Sequence, residues 1–390
     1  MEIRFNRTQG LDEAKAFLSQ ALASGKFPHA LLVHGPAGMG QNALVLDLAE
    51  ILLCEDASVK PCGRCAGCQG KRNENLHFVF PVVEKSESGD ARKMTSQQVD
   101  ELVADIASFR SDPYGFTVPE KAQTRIAQMM ELQGKIAFSI ASGHTKIAIL
   151  HRVETMDAPV ANAFLKTLEE PPPETHFLLV SEDRSALLPT ILSRCTQLPL
   201  FPMAPPELRA VLTAKAADWD LPAVPERLLP FAEGSPGALL DLHRNGGDTL
   251  VADAGDFFAA ALAGFKSGNG WLAFADYAET AKPFEDMQGA APLLLFLLRA
   301  IRLFHSLRAL EPAPASGAPG AWTRSALVRQ GLDPGLAETL APLEAFPDLR
   351  ALSQWIEELL TAVRDYAKPK NAALGLYLEY LQKQTAVAAT

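Results

Sequence analysis

The sequence predicts an α/β domain followed by two helical regions, and three observations carry that expectation. A short apolar run at Ala30 to Val33 meets a Gly-rich turn, Gly35 to Gly40, and then a helical pattern. Further short apolar runs alternate with helical periodicity up to about residue 200. After Phe201-Pro202 only helical patterns remain. At 390 residues the chain is long enough for two or three domains, and a hydrophobic fraction of 48% is ample for their cores.

The elements follow in order. Leu11, Ala14, Phe17, Leu18, Ala21 and Leu22 repeat at helical spacing over 11–24. Ala30 to Val33 reads as a buried strand, and Gln41 to Leu53 as a helix turning Leu44, Val45, Leu48, Ile51 and Leu52 inward. Phe78 to Val83 is a second strand, 84–96 a polar loop, and 97–110 and 119–141 are helices. Lys146 to Leu150 is a buried strand. Ala158 to Glu169 is a helix with Asp157 as N-cap and Pro159 in its first turn, ended by Pro171-Pro172-Pro173. Phe177 to Val180 and Thr196 to Leu200 complete the strands. The expected division is 1–201, α/β; 202–245, a small helical domain broken at Gly234-Ser235-Pro236-Gly237; and 246–390, a larger helical domain with an exposed Pro/Ala/Gly-rich loop from Glu311 to Gly320.

Charge narrows the function classes. A formal net charge of −10 argues against a chain that coats nucleic acid as a whole, which needs a basic surface. No secretory signal is visible, and the most apolar stretch, Ala291 to Leu298, is short and soon followed by Arg299 and Arg302, so it reads as a buried helix and no membrane contact is expected. The expected compartment is the cytoplasm, where clustered cysteines point to metal rather than disulfides.

Gly35-Pro36-Ala37-Gly38-Met39-Gly40-Gln41-Asn42 has the spacing of a phosphate-binding P-loop, G-x-x-x-x-G-K-[ST]. The lysine that neutralises phosphate charge is replaced by Gln41, and the hydroxyl that holds Mg²⁺ by Asn42. The strand Ile147 to Leu150 should be followed by metal-binding acids but is followed by His151-Arg152, and Glu154 lies too far along to be an obvious substitute. The loop at Gly35, Gly38, Gly40, Gln41 and Asn42 is therefore expected to bind ATP weakly or not at all.

Cys54, Cys62, Cys65 and Cys68 form C-x7-C-x2-C-x2-C. Four thiolates at this spacing suit a closed, structural zinc site, one ion per chain, in a module over about 54–68. Gly63 permits the tight turn, and Lys60, Arg64, Lys71 and Arg72 would offset the charge of a tetrathiolate. Four free or redox-active cysteines are the other reading. Cys195 stands apart.

Asn162-Ala163-Phe164-Leu165-Lys166-Thr167-Leu168-Glu169-Glu170-Pro171-Pro172 resembles the N-x-x-L-K-x-L-E-E-P-P segment of bacterial clamp-loader subunits, AAA+ proteins of the DNA polymerase III holoenzyme. Ser193-Arg194-Cys195 resembles their Ser-Arg-Cys motif. His29-Ala30-Leu31-Leu32 before the turn and the four cysteines after it are similar too. The likeness covers roughly 1–200 and continues weakly at Asn371 to Leu378. That family holds an active ATPase, gamma or tau, and a degenerate relative, delta-prime. This chain resembles the degenerate branch: the lysine, the hydroxyl and the acidic pair are replaced, and Gly237 stands where active members carry an arginine after Gly-Ser-x.

The resemblance implies an AAA+ domain, a helical lid and a helical collar. It implies gamma/tau and delta as partners, and contact with the sliding clamp and primed DNA through the complex. Neither membrane nor small-molecule substrate is expected. It also implies a catalytic role for Arg194 in trans, as an arginine finger to the ATP of a neighbouring subunit, with the chain itself no enzyme. An ordinary surface ion pair is the other reading of Arg194. Lys166, Glu169 and Glu170 read as a solvated helix face, His29 and His34 as structural, and Ser181 as near a γ-phosphate-sensing position whose task is void. Two other functions compete: an active AAA+ ATPase with unusual site residues, and a zinc-bearing interaction module unrelated to replication.

Overall fold

The computed structural model describes residues 1–69, 73–83, 96–119, 121–137, 145–219, 221, 226–266, 271–285, 287–310, 333–346 and 348–365, with positions 369, 373, 376, 377 and 380. They fall into two compact units, Met1–Ala217 with Gly234–Ala238, and Asp218–Glu233 with Leu239–Thr390. Residues 202–217 and 234–238 fall in the first unit, and 218–233 and 239–245 in the second.

The first unit is built on a five-stranded parallel sheet. In chain order its elements begin with β1 (Glu2–Ile3), α1 (Asp12–Ala23), β2 (Ala30–His34), α2 (Gln41–Leu53), β3 (Val59–Lys60), β4 (Leu76–Val79), α3 (Ser96–Ser111) and α4 (Ile126–Ala137). They continue with β5 (Lys146–Leu150), α5 (Ala158–Glu169), β6 (Thr175–Ser181), α6 (Pro189–Leu192), β7 (Thr196–Pro199) and α7 (Pro205–Lys215). The strand order is β4-β5-β6-β2-β7, and β1 and β3 form a separate parallel pair. Leu31, Leu32 and Val33 of β2 and Ile147, Ala148, Ile149 and Leu150 of β5 are fully buried. A parallel sheet covered on both faces demands such continuous apolar runs, which is why they were legible as strands.

Local chemistry sets the element ends. Asp157 accepts a hydrogen bond from the Val160 amide at 2.9 Å, satisfying a donor that the first turn of α5 leaves open. Val160, Ala161, Phe164 and Leu168 then recur on one face and are buried. Phe164 meets Phe177 of β6 edge to face at 5.4 Å, inside a core shared with Met129 and Leu132 of α4.

Two expected elements differ. Residues 121–125 do not continue a helix from 119: the Gln123 and Val82 backbones exchange hydrogen bonds at 3.0 Å, and Thr124 bridges to Met156. Bridging to other segments outweighs local helical periodicity there, so α4 starts only at Ile126. The strand expected at Phe78 to Val83 begins at Leu76 and leaves the sheet after Val79. Residues 84–95 of the expected loop, the stretch 311–320, and most of 371–378 lie outside the described residues.

The described elements of the second unit are helical. α8 (Pro236–Arg244) leads into it, followed by α9 (Asp248–Lys266), α10 (Trp271–Thr280), α11 (Met287–Leu310), α12 (Pro334–Leu340) and α13 (Leu349–Asp365). Phe257 of α9 stacks on Trp355 of α13 at 5.4 Å, and the Tyr377 hydroxyl donates to the Ala261 carbonyl at 2.6 Å. The apolar stretch judged too short to cross a bilayer belongs to a helix that is long and apolar enough, by length and composition, over Gly289–Ala309. Leu293, Leu294, Leu297, Ile301 and Phe304 are buried inside the unit, so this is a core helix.

Candidate functional site

The Gly-rich loop lies between β2 and α2. Gly38 and Gly40 hold φ of 74° and 101°, a backbone open to glycine at little cost, and the loop has the turn its spacing predicted. The Gln41 amide donates to the carbonyls of Gly35 and Pro36 at 2.8 and 2.6 Å, so the replacement for the lysine closes the loop on itself. The Asn42 amide turns to the Pro113 carbonyl at 3.1 Å.

Two further segments press on the loop. Tyr114, from the stretch after α3, accepts a hydrogen bond from the Gln9 amide at 3.0 Å and lies against Gly40, where a Cβ would come 3.2 Å from its hydroxyl. Burial pushes the Tyr114 hydroxyl up to about 12. Ser235 donates to the Ala37 carbonyl at 2.9 Å, and the Gly237 amide donates to the Gly38 carbonyl at 3.0 Å. A Cβ on Gly237 would meet the Tyr114 carbonyl at 2.5 Å and the Gly38 Cα at 2.7 Å. At Gly237 the backbones approach so closely that no side chain fits.

The strand ends nearby carry a second set of replacements. His151, after β5, is buried among Phe80, Phe109 and Phe116, with ring centroids 5.3–5.8 Å away. Its Nδ1 has no hydrogen-bond partner among the described residues. Burial, assisted by neighbouring Arg152, pushes it down to about 3, so it is neutral in the folded chain. Arg152 sits at φ 49° and places Nε 3.6 Å from a carboxylate oxygen of Glu154 and 3.6 Å from one of Glu182. Burial raises the Glu182 carboxyl, against the pull of Arg152. Glu154, expected to lie too far along the chain, is returned to the strand ends by the 3-10 turn Val153–Thr155, where it also accepts from the Glu182 amide at 3.2 Å. Acids are therefore present, with a guanidinium between them. Ser181 is buried and its hydroxyl has no described partner.

Arg194 follows α6 on the same unit and is about a third exposed. Its Nε donates to Glu169 Oε1 at 2.8 Å, a second nitrogen donates to the same oxygen, and another reaches the Thr190 carbonyl at 2.9 Å. The ion pair considered as its alternative role is present, and it holds the guanidinium in one orientation. Glu169, read as a solvated position, is its anchor. Cys195 packs against the core, and burial pushes its thiol up to about 12.

The four cysteines converge. Their sulfurs all lie within 4.8 Å of one another, and those of Cys54 and Cys65 are 4.0 Å apart. A tetrahedron with Zn–S of about 2.3 Å has edges of about 3.8 Å, so the group is of the right size to hold a zinc ion. Amides support the sulfurs: Cys62 N–H donates to Cys54, Cys65 N–H to Cys62, and Cys68 N–H to Cys65, each at 3.4 Å. The Arg64 amide, with that of Cys65, pulls the Cys62 thiol down to about 6, whereas burial pushes Cys68 up to about 12. Four adjacent thiolates need a cation to coexist, which a metal supplies. Gly63 holds φ 72°, and at Gly67 a Cβ would strike the Leu53 carbonyl at 2.1 Å. The expected charge balance is only partly available. Lys60 donates to the Cys54 carbonyl at 2.7 Å, Arg64 pairs with Asp56 at 2.9 Å, and Lys71 and Arg72 lie outside the described residues.

Sequence reading missed Tyr114, Glu182 and Asp47. Asp47, fully buried in α2, accepts from the amides of Arg7 and Thr8 and from the Thr8 hydroxyl at 2.7–3.1 Å. Its signal was available, a lone acid on the inward face of an apolar helix. Tyr114 gave none.

The sequence profile of the family described as DNA polymerase III, delta subunit, matches residues 10–204. The delta′ subunit of Pseudomonas aeruginosa is 32% identical over 242 residues, 60% of this chain and 61% of that protein. The Escherichia coli delta′ subunit is 30% identical over 57% and 56% of the two chains, and the Bacillus subtilis tau subunit 28% identical over 49% and 28%. The chain thus matches about three fifths or less of the length of these relatives. Among solved structures, a gamma-subunit-related protein of Thermotoga maritima is similar at 13% identity and a TM-score of 0.38, over 94% of this chain and 98% of that one. With a P-loop turn on a parallel sheet, a cluster of four cysteines that begins at the end of the helix after that turn, and half of its length matched by that profile, the chain belongs to the delta′-like AAA+ clamp-loader subunits of DNA polymerase III.

Proposed function

We propose that this chain is a non-hydrolysing subunit of a bacterial clamp loader that assists ATP hydrolysis on a neighbour. The observation that carries the reading is a contrast within one unit. In the chain's own P-loop turn the Gln41 amide is engaged by the Gly35 and Pro36 carbonyls, and Tyr114 and Gly237 pack against Gly40 and Gly38. Arg152 lies where an acid would hold Mg²⁺, between Glu154 and Glu182. Arg194 instead presents a partly exposed guanidinium oriented by Glu169.

A guanidinium keeps its charge at any physiological pH and offers forked donors to phosphate oxygens. Offered across a subunit boundary, it stabilises charge developing on the γ-phosphate held by a gamma or tau subunit. Glu169 and the Thr190 carbonyl hold it ready, so less orientation is lost on docking. In this reading 202–245 acts as lid and 246–390 as collar. Gamma/tau and delta are the partners, the complex opens the sliding clamp on primed DNA in the cytoplasm, and one structural zinc sits on Cys54, Cys62, Cys65 and Cys68.

The test is reconstitution of the loader with Arg194→Ala. Clamp- and DNA-stimulated ATP turnover at the adjacent site should fall steeply, since an arginine finger contributes on the order of 10³-fold or more. Assembly should survive, because the substitution touches only exposed contacts. Unchanged turnover removes Arg194 from the mechanism. ATP turnover by the isolated chain that disappears with Gln41→Ala would favour an unusual ATPase instead.

A further inference from the structure

The N-terminal segment runs from the cysteine loop to the P-loop turn, and its contacts tie the two together. β1 pairs in parallel with β3, and β3 lies inside the span between Cys54 and Cys62. The Glu2 amide donates to the Ser58 carbonyl at 2.7 Å, and the Arg4 amide to the Lys60 carbonyl at 2.8 Å. Glu2 and Arg4 are exposed and Ile3 and Phe5 only half-buried, so β1 gains little from burial and leans on this main-chain pairing. Two strands of two residues cannot stand by themselves in water.

β3 is held by the cysteine loop in turn. Lys60 Nζ donates to the Cys54 carbonyl at 2.7 Å, and the Cys62 amide donates to the Cys54 sulfur at 3.4 Å. Asp56 accepts from the Ser58 and Val59 amides at 2.8 and 3.2 Å. A metal that gathers the sulfurs of Cys54 and Cys62 therefore fixes both ends of the stretch that carries β3. Binding free energy at such a site is spent on ordering the chain between the ligands.

Beyond β1 the segment is fastened to α2, the helix that leads into Cys54. The Arg7 and Thr8 amides donate to the Asp47 carboxylate at 3.1 and 2.8 Å, and the Arg7 guanidinium donates to Glu50 at 2.7 Å. The Gln9 amide then donates to the Tyr114 hydroxyl at 3.0 Å, and Tyr114 packs on Gly40. Only Phe5 and Asn6 separate Arg4 from Arg7, roughly 10 Å of chain at full stretch. β1 cannot move far without pulling on the contacts to Asp47.

We infer that the four cysteines form a metal-dependent clasp: zinc bound there orders residues 2–9 along α2, and order in those residues tightens the hold on zinc. The inference rests on the cysteines being a zinc site. The two effects are one coupling seen from its two ends, so each must equal the other. Metal occupancy thereby reaches the wall of the P-loop turn through Gln9 and Tyr114.

The test uses the full chain, kept reduced, and the double variant Glu2→Pro, Arg4→Pro. Proline removes the two amides that β1 donates to β3. Zinc affinity, read by competition with a chromophoric chelator, should fall about tenfold, the worth of two such bonds. Glu2→Ala, Arg4→Ala keeps both amides and should bind zinc as the parent does. A chain lacking residues 2–6 imposes no proline and should match the proline variant. Zinc removal should also speed amide exchange at Arg7, Thr8 and Gln9 by about tenfold, while Leu32 and Val33 of β2 keep their protection. The affinity comparison remains decisive if the metal-free chain opens more widely. Unchanged zinc affinity in both the proline variant and the shortened chain overturns the inference and leaves the zinc site standing. So does exchange at Arg7, Thr8 and Gln9 that zinc removal does not alter. Purified protein that takes up no zinc removes the zinc reading itself, and the clasp with it.

Discussion

His151 makes the stability of the first unit depend on pH in a way that one substitution isolates. The imidazole lies between three phenylalanines with Nδ1 unpartnered among the described residues, and its pKa falls from 6.5 to about 3. A base depressed in the folded state stays neutral there while the unfolded chain takes up a proton. Stability from this residue is therefore complete above about pH 7, is lost as pH falls below 6.5, and levels off only near 3. At about 1.36 kcal/mol per unit, lowering the pH from 7.5 to 5.0 costs about 2 kcal/mol. His151→Leu has no such group and no unpaired buried nitrogen. The two proteins, labelled at isoleucine methyls, are unfolded in urea at both pH values, with Ile147 and Ile149 reporting on β5. The difference in unfolding free energy between them should shift by about 2 kcal/mol in favour of the variant at pH 5.0. Thiolate and carboxylate titrations are common to both and cancel. Parallel pH slopes, or a His151 Cε1–H resonance titrating near 6.5, would refute the buried neutral ring.

Gln41→Lys alone should not create ATP binding, because Tyr114 and Gly237 still press on the loop; isothermal calorimetry that finds micromolar binding to this variant would contradict the packing. Asp47→Ala should destabilise the first unit by about 3 kcal/mol or more, since it strands the amides of Arg7 and Thr8 and a buried hydroxyl; a loss under about 1 kcal/mol in urea unfolding would mean water takes its place. Metal analysis of the reduced protein should find about one zinc per chain. Its chelation should raise amide exchange at Glu2, which donates to Ser58 at 2.7 Å beside the cysteine loop; no zinc, or unchanged exchange after chelation, counts against the site.

Short-range periodicity and spacing were enough for one part of this protein. The buried runs Ala30 to Val33 and Lys146 to Leu150 could only be strands covered on both faces, and Asp157, Pro159 and the prolines from Pro171 marked both ends of α5. The cysteine spacing alone brought four sulfurs within reach of one metal, because 15 residues with Gly63 and Gly67 leave the loop little else to close around. The replacements at Gln41, Asn42, His151, Arg152 and Gly237 were equally plain. What those residues do instead emerged only in three dimensions, because their partners are distant in sequence. Asn42 finds Pro113, Gly237 touches Gly38 across about 200 positions, and Tyr114 reaches Gln9. Glu154 and Glu182 meet at Arg152 only because β5 and β6 end side by side.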